Sequence, residues 1–348
     1  MLEKILPITA IVAATAFAGS KPYSGAELYS RDTWMYGKFE ARMCMGAASG
    51  TVSSMFLYHN DSYLGGNEPW VEVDIEVLGK DPNKFQSNII SGFGPGDGMP
   101  DRKAYSEQLH DMSPAVNQAY HTYAIEWTPD YVSWQIDGKE VRRTRAGELN
   151  KDGRDQVADL RQREQGLRFN LWASEDPGWT GPWNEANLPV YQYINWVKIY
   201  EYKPGQGDNG TDFKLSWQDD FDIFDSGFWS AGDWTFDGNR VDLTDQNVVV
   251  KDGTLILSLT KKGAEGFHGT VPADTEQPVV TPENPTNPTE QPSGPNVDPS
   301  VNPENPNGIA KARSARVNNA SKASYNARGE KLGKQNTPHG GFFKQFVK

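Results

Sequence analysis

Cysteine is nearly absent. Cys44 is the only one in 348 residues, so no intramolecular disulfide can form and the fold must be held by its core, with or without a metal. No histidine lies close in sequence to activate the thiol. Alternation through Phe39-Glu40-Ala41-Arg42-Met43-Cys44 puts it on the face of Glu40 and Arg42, which predicts an accessible, non-catalytic cysteine. Long apolar runs are equally scarce. The one candidate, Ile5 to Phe17, follows Lys4 and ends in the small-x-small Ala16-Phe17-Ala18. It is too short for a permanent anchor and reads as a signal peptide over residues 1–18, predicting a secreted protein, extracellular or periplasmic, with no transmembrane segment. The body also lacks positive charge. Of the net −12, residues 309–348 contribute +8, from nine Lys/Arg against Glu330 alone, which leaves −20 for the rest. Such a body repels a phosphate backbone, so no nucleic-acid partner is expected.

Sustained helical periodicity is missing too. From Ser24 to Tyr202 short alternating segments are separated by Gly, Pro, Asn and Asp turns, a pattern that predicts an all-β, antiparallel sandwich. Residues 147–166 read as a long loop or a short helix, Pro204 to Gly210 as a flexible connector, and Phe213 to Lys262 resumes strand character. The expected division is a signal peptide (1–18), a β domain (19–270), a Pro/Asn/Glu-rich disordered linker (271–308) and a basic tail (309–348), with a monomer as the expected state.

The most informative run is Trp70-Val71-Glu72-Val73-Asp74-Ile75-Glu76-Val77-Leu78-Gly79. Its period of two places Val71, Val73, Ile75 and Val77 on one face of a strand and Glu72, Asp74 and Glu76 on the other. Same-face neighbours about 7 Å apart repel by roughly 2 kcal/mol per pair at an effective dielectric near 20. Two uses justify that cost: acid/base and nucleophilic chemistry by paired carboxylates, or binding of a hard cation. A solvated edge is the plain structural alternative. The same periodicity aligns Phe56, Tyr58 and Asn60, then Gln86 and Asn88, then Arg168, Asn170 and Trp172. If these strands are neighbours, their faces make one surface of acids, amides, an arginine and aromatic rings, suited to hydroxyl-rich sugars, and Trp70, Trp179 and Trp234 could wall it from loops.

These residues resemble glycoside hydrolase family 16. Glu72-Val73-Asp74-Ile75-Glu76 is similar to its Glu-x-Asp-x-Glu signature, and Val77-Leu78-Gly79-Lys80-Asp81 looks like the lichenase branch. Tyr36 to Glu40, Phe85 to Asn88, His121 to Trp127 and Phe169 to Trp172 match further. Related β-1,3-glucanases usually carry one more residue between the Asp and the last Glu, and none stands between Asp74 and Glu76. Phe213 to Lys262 resembles what is usually the N-terminal part, so the chain looks circularly permuted, which predicts that Ser24 and Lys262 lie close together.

The resemblance implies a jelly roll of two antiparallel sheets with a concave cleft, and a retaining double displacement on mixed-linkage β-glucan. In it Glu72 matches the nucleophile, Glu76 the acid/base and Asp74 the helper between them. By the same carry-over Glu27, Phe56, Tyr58, Asn60, Trp70, Gln86, Asn88, Arg168, Asn170, Trp172, Trp179 and Trp234 match sugar subsites. No cofactor is expected for catalysis. A structural calcium is implied, at positions matched by Asn195, Asp220 and Gly253. The residues leave two other readings open: a laminarinase-type β-1,3-glucanase, and a non-catalytic carbohydrate-binding sandwich.

Overall fold

Strands form where the sequence alternates, and both faces of the alternation find a partner. The structure is a computed structural model that describes residues 20–275 and the backbone of one short strand pair, Ser324–Tyr325 with Lys331–Leu332. The expected signal peptide, residues 276–308 of the expected linker, and the basic tail apart from that strand pair lie outside the described residues.

With strands numbered in chain order, one sheet runs in space through β14 (Trp229–Ala231), β1 (Tyr23–Ser30), β11 (Gly166–Ala173), β3 (Thr51–Tyr58), β4 (Pro69–Leu78) and β5 (Lys84–Phe93). The short β6 (Ala104–Tyr105) and β7 (Gln108–Asp111) both pair with the outer edge of β5. The opposing sheet runs through β10 (Lys139–Arg145), β9 (Tyr131–Ile136), β8 (His121–Trp127), β2 (Gly37–Cys44) and β12 (Val190–Tyr202). Beyond β12, β13 (Phe213–Asp219) pairs with its second half, and β17 (Thr254–Lys261), flanked by β16 (Val248–Lys251), pairs with its first half. These sheet pairings are all antiparallel. The start of β1 also runs parallel to β15 (Val241–Leu243) and antiparallel to β17, which closes one end of the sandwich.

The core lies between the sheets. Val71, Val73, Ile75 and Val77 of β4 are fully buried, as are Met55 and Leu57 of β3 and Phe169 and Leu171 of β11, opposite Phe39 and Met43 of β2 and Trp127 of β8. Each such aliphatic side chain contributes about 1.5–3 kcal/mol, so the apolar face of β4 outweighs the repulsion among the acids on its other face. Gly79 ends the strand where a side chain cannot fit: a Cβ there would lie 1.7 Å from the Ala48 carbonyl oxygen.

Residues 147–166 contain the short helix α1 (Gln156–Leu160), capped by Asp155, whose carboxylate accepts from Ala158 N–H. Its Val157 and Leu160 are buried, and Gln156 Nε2 donates to the carbonyls of Ile89 (2.7 Å) and Ala104 (3.1 Å). A second helix, α2 (Pro177–Thr180), follows β11. The Pro204 to Gly210 connector is an ordered hairpin loop between β12 and β13, not a free linker: Asp212 Oδ1 accepts from Gly205 N–H and Asp208 Oδ2 from Leu215 N–H. As expected, Ser24 and Lys262 are close. Ser24 pairs with Thr260, and Lys262 N–H donates to the Pro22 carbonyl at 3.0 Å.

Cys44 departs from expectation: it is buried. The outer face it shares with Arg42 is crossed by the segment after β17, whose Asp274 binds Arg42. Burial, and then the Asp274 charge, push the thiol up to about 11, so it is inert at neutral pH.

Candidate active site

The strand registers assemble the polar face that periodicity anticipated. One row across the sheet reads Asn88, Asp74, Phe56, Arg168 and Tyr29, each directly opposite the next. The adjacent row reads Gln86, Glu76, Ser54, Asn170 and Glu27. Glu72 stands opposite Tyr58, one row further along β4. Four separate sequence segments therefore become one surface, because same-face residues on paired strands are neighbours.

The three acids sit in unlike surroundings. Glu72 Oε2 accepts from Trp70 Nε1 at 2.6 Å. Burial raises the Glu72 carboxyl, while the Trp70 N–H, the Lys103 charge, a hydrogen bond from Asp74 and the Arg168 charge work to keep it ionised. Asp74 is almost completely buried, and one of its carboxylate oxygens, Oδ2, has no hydrogen-bond partner. Burial first, then the charges of Glu72 and Glu76 and the side-chain hydrogen bond to Glu72, raise it well above the carboxylate range. Glu76 is pushed up to about 8 by burial, then by Glu72 and Glu107. At neutral pH Glu76 thus has a proton to give up, while Glu72 is raised on balance by burial and is the acid whose neighbours oppose that rise. Environments that push two carboxyls apart in this way define acid and base roles.

Around them lie the remaining predicted residues. The Arg168 guanidinium pairs with Glu27, donates to Asn60 Oδ1 at 2.8 Å, and lies 5.0 to 5.9 Å from the ring centres of Tyr29, Tyr58 and Trp234. Asn170 Oδ1 accepts from Ser54 Oγ at 2.6 Å, and Asn88 Oδ1 accepts from Ser106 N–H at 2.9 Å. Trp179, on α2, reaches Gln86 Oε1 at 3.4 Å and packs against Trp172, whose ring also meets Phe236 edge-on at 5.0 Å. Trp70 is part of β4, on the face of Glu72, and not of a loop as anticipated. Phe56, Tyr58 and Trp70 form a chain of edge-to-face contacts along the acids.

Several members of the face escaped the sequence reading. Ser54 shares the period of Phe56 and Tyr58, and Tyr29 shares that of Glu27, so both were within reach of the same argument. Lys103, Tyr105 and Glu107 also alternate, but they follow an irregular turn that hides them.

The positions expected to hold calcium also converge. β13 ends at Asp219 opposite Val197, β17 starts its pairing with Leu255 opposite Ile194, and the bulge of β12 at Asn195 lies between them. Asp220 and Gly253 thereby flank Asn195. Asp252 and Gly253 both have positive φ, +53° and +72°, as the tight β16–β17 hairpin requires. An amide, a carboxylate and backbone carbonyls are donor types that suit a hard cation; Asn195 Nδ2 also donates to Asp274, and Asp220 Oδ1 accepts from Gln218.

Comparison with known proteins agrees with this geometry. The model of glycosyl hydrolases family 16 matches residues 9–198. A β-glucanase of Fibrobacter succinogenes is 55% identical over 276 residues, covering 79% of this chain and 75% of that protein. A β-glucanase of Brevibacillus brevis is 32% identical over 180 residues, covering 51% of this chain and 61% of that protein. Among solved structures, a Bacillus licheniformis β-glucanase aligns with 26% identity and a TM-score of 0.40, over 51% of this chain and 77% of that one. The chain is a glycoside hydrolase. It belongs to family 16 of the glycosyl hydrolases, with that family's jelly-roll sandwich.

Proposed function

We propose that the protein is a secreted endo-β-glucanase that cuts β-1,4 bonds next to β-1,3-linked glucose in mixed-linkage β-glucan, with retention. The carrying observation is the row of three acids in which Glu76 keeps its proton to about 8 while its neighbours favour ionised Glu72. Glu72 attacks the anomeric carbon as the glycosidic C–O bond breaks, and Glu76 gives its proton to the leaving oxygen. Water, deprotonated by Glu76, then displaces Glu72 from the glycosyl ester, returning both groups to their starting states. Protonated Asp74 stabilises the Glu72 carboxylate by its hydrogen bond. Arg168, Glu27, Asn60, Asn88, Gln86 and Asn170 bind sugar hydroxyls, and the rings of Phe56, Tyr58, Trp70, Trp172, Trp179 and Trp234 stack on sugar faces.

Mixed-linkage specificity is favoured by the Glu-x-Asp-x-Glu spacing, and the β-glucanase relatives support β-glucan as the substrate class. We also read the chain as circularly permuted, since β13 to β17 lie beyond the family match and yet pair with β1 and β12. The Asn195, Asp220 and Gly253 site would hold a structural calcium, remote from the acids, that ties β12, β13 and β17 together. The test is sugar release from barley β-glucan, lichenan, laminarin and carboxymethyl-cellulose, with Glu72→Gln and Glu76→Gln in parallel. Release from the first two alone, lost in both variants, is expected. Release chiefly from laminarin would move the substrate to β-1,3-glucan, and none at all would favour the binding sandwich.

A further inference from the structure

Lys103 is a cation placed where cations are costly. Its side chain is 7% exposed, its ammonium lies 4.0 Å from the centre of the Trp70 ring, and the Tyr105 ring is 5.9 Å away. Its carboxylate partner, Asp101, is half-exposed and sits at 3.6 Å, beyond good hydrogen-bond distance. Trp70 in turn spends its indole N–H on Glu72. The lysine, the indole and the acid thus form one line from the turn after β5 to the reacting carboxylate.

We propose that Lys103 is a positioning residue for Glu72: it pins the Trp70 ring so that the indole N–H meets the carboxylate, and it supplies positive charge to that side of the site. The inference rests on the nucleophile reading of Glu72 given above. A cation over an indole face is attracted by the ring quadrupole, more strongly when both are withdrawn from water. The same contact polarises the ring and strengthens its N–H as a donor, so the two effects act in one direction. Facing Glu72 are also Arg168 from β11, Tyr58 from β3, Tyr105 from β6, and Asp74 and Glu76 from its own strand. Of these, Arg168 is already neutralised by Glu27. Lys103 is therefore the less compensated positive charge on the site.

The experiment is the pH profile of kcat/KM on barley β-glucan for the wild type, Lys103→Met, Lys103→Arg and Asp101→Asn, with Glu72→Gln beside them. In Lys103→Met the acidic limb should move up by about one pH unit, costing roughly tenfold at a pH on that limb, while the basic limb set by Glu76 stays. Lys103→Arg should restore most of the shift. Asp101→Asn, which removes the opposing charge at an exposed position, should move the limb down, and it decides the matter if Lys103→Met does not fold. An unmoved acidic limb in Lys103→Met or Asp101→Asn, with folding intact and Glu72→Gln inactive, overturns the role of Lys103 alone. Activity retained in Glu72→Gln would instead overturn the reading of Glu72 on which it rests.

Discussion

Trp134 Nε1 donates to the backbone carbonyl of Asp74 at 2.9 Å, from a ring that is fully buried on the opposing sheet. The bond crosses the sandwich and fixes the acid-bearing strand at its middle residue. Over the same ring lies the Arg142 guanidinium, 4.4 Å from its centre, and Arg142 in turn donates to Ser87 of β5 and to Ser106. Trp134→Phe removes the donor and shrinks a fully buried ring. It should cost about 2–4 kcal/mol, from the unpaired carbonyl and the cavity together, read as a lower urea midpoint with an unchanged slope. A midpoint equal to wild type would show that the bond is replaced by another.

The proton on Glu76 predicts two pH effects of related origin. In the free enzyme, kcat/KM should fall as pH rises through about 8, where Glu76 loses its proton. Stability should fall over a wider range. The unfolded chain releases this proton near the ordinary carboxylate value and the folded one only near 8, so between the two the folded state binds more protons and loses stability as pH rises. Glu76→Gln, an uncharged isostere, should therefore melt higher than wild type at pH 8 and no higher at pH 4, while its turnover drops by about 10² to 10⁴. Equal melting at both pH values would mean that Glu76 is not held protonated by its site.

How much of this site was legible follows from the geometry of strands. Period two is visible in a sequence, so Glu72, Asp74 and Glu76 and the faces of β3, β5 and β11 could be read without coordinates. Strand order is not visible. Nothing in the residues says that Asp74 faces Phe56 and then Arg168, because that depends on long-range register. The Trp134 bond to a carbonyl leaves no residue pattern either, and Lys103 was hidden by the irregular turn before it. Cys44 was misjudged because the segment that covers it arrives from more than 220 positions away.

The Glu27–Arg168 pair is buried on both sides, and the cost of each single variant should depend on pH. Glu27→Gln leaves a permanent guanidinium without its counter-charge and should cost about 3–5 kcal/mol at pH 8, and less as the pH falls and Glu27 of the wild type takes up a proton. Arg168→Met leaves Glu27, which burial already raises, free to take up a proton. Its penalty should be small at pH 4 and grow toward pH 8. A penalty as large at pH 4 as at pH 8 in either variant would count against this account.

Calcium removal should lower the melting temperature without touching the acids. With free calcium at 100 times its dissociation constant the gain is about 2.7 kcal/mol, and it should vanish in Asp220→Ala. A melting temperature indifferent to chelator and to added calcium would leave Asn195, Asp220 and Gly253 as a purely structural junction.

Among the described residues the last side-chain tie of the domain is Asp274, beyond position 270 where composition first turns linker-like. Its carboxylate accepts from Arg42 Nε at 3.0 Å, Arg42 Nη2 at 2.7 Å and Asn195 Nδ2 at 2.8 Å, so it clamps the segment after β17 across β2 and β12. Burial alone would raise Asp274, but the bonds to Arg42 and Asn195 outweigh it and hold the group below the usual range. A depressed carboxyl adds stability above its unfolded value, and that stability is lost as pH falls through the folded one. A chain ending at residue 275 should therefore match the full-length protein in activity and melting temperature. Ending it at 266, or making Asp274→Ala, should cost about 2 kcal/mol at pH 7, with the gap closing below the usual carboxylate range. The Arg42 left behind retains Asp137 at 3.7 Å, which keeps the loss below that of a fully orphaned charge. If the chain ending at 275 lost activity while keeping its melting temperature, the residues beyond it would have a part in catalysis that the sandwich alone does not supply.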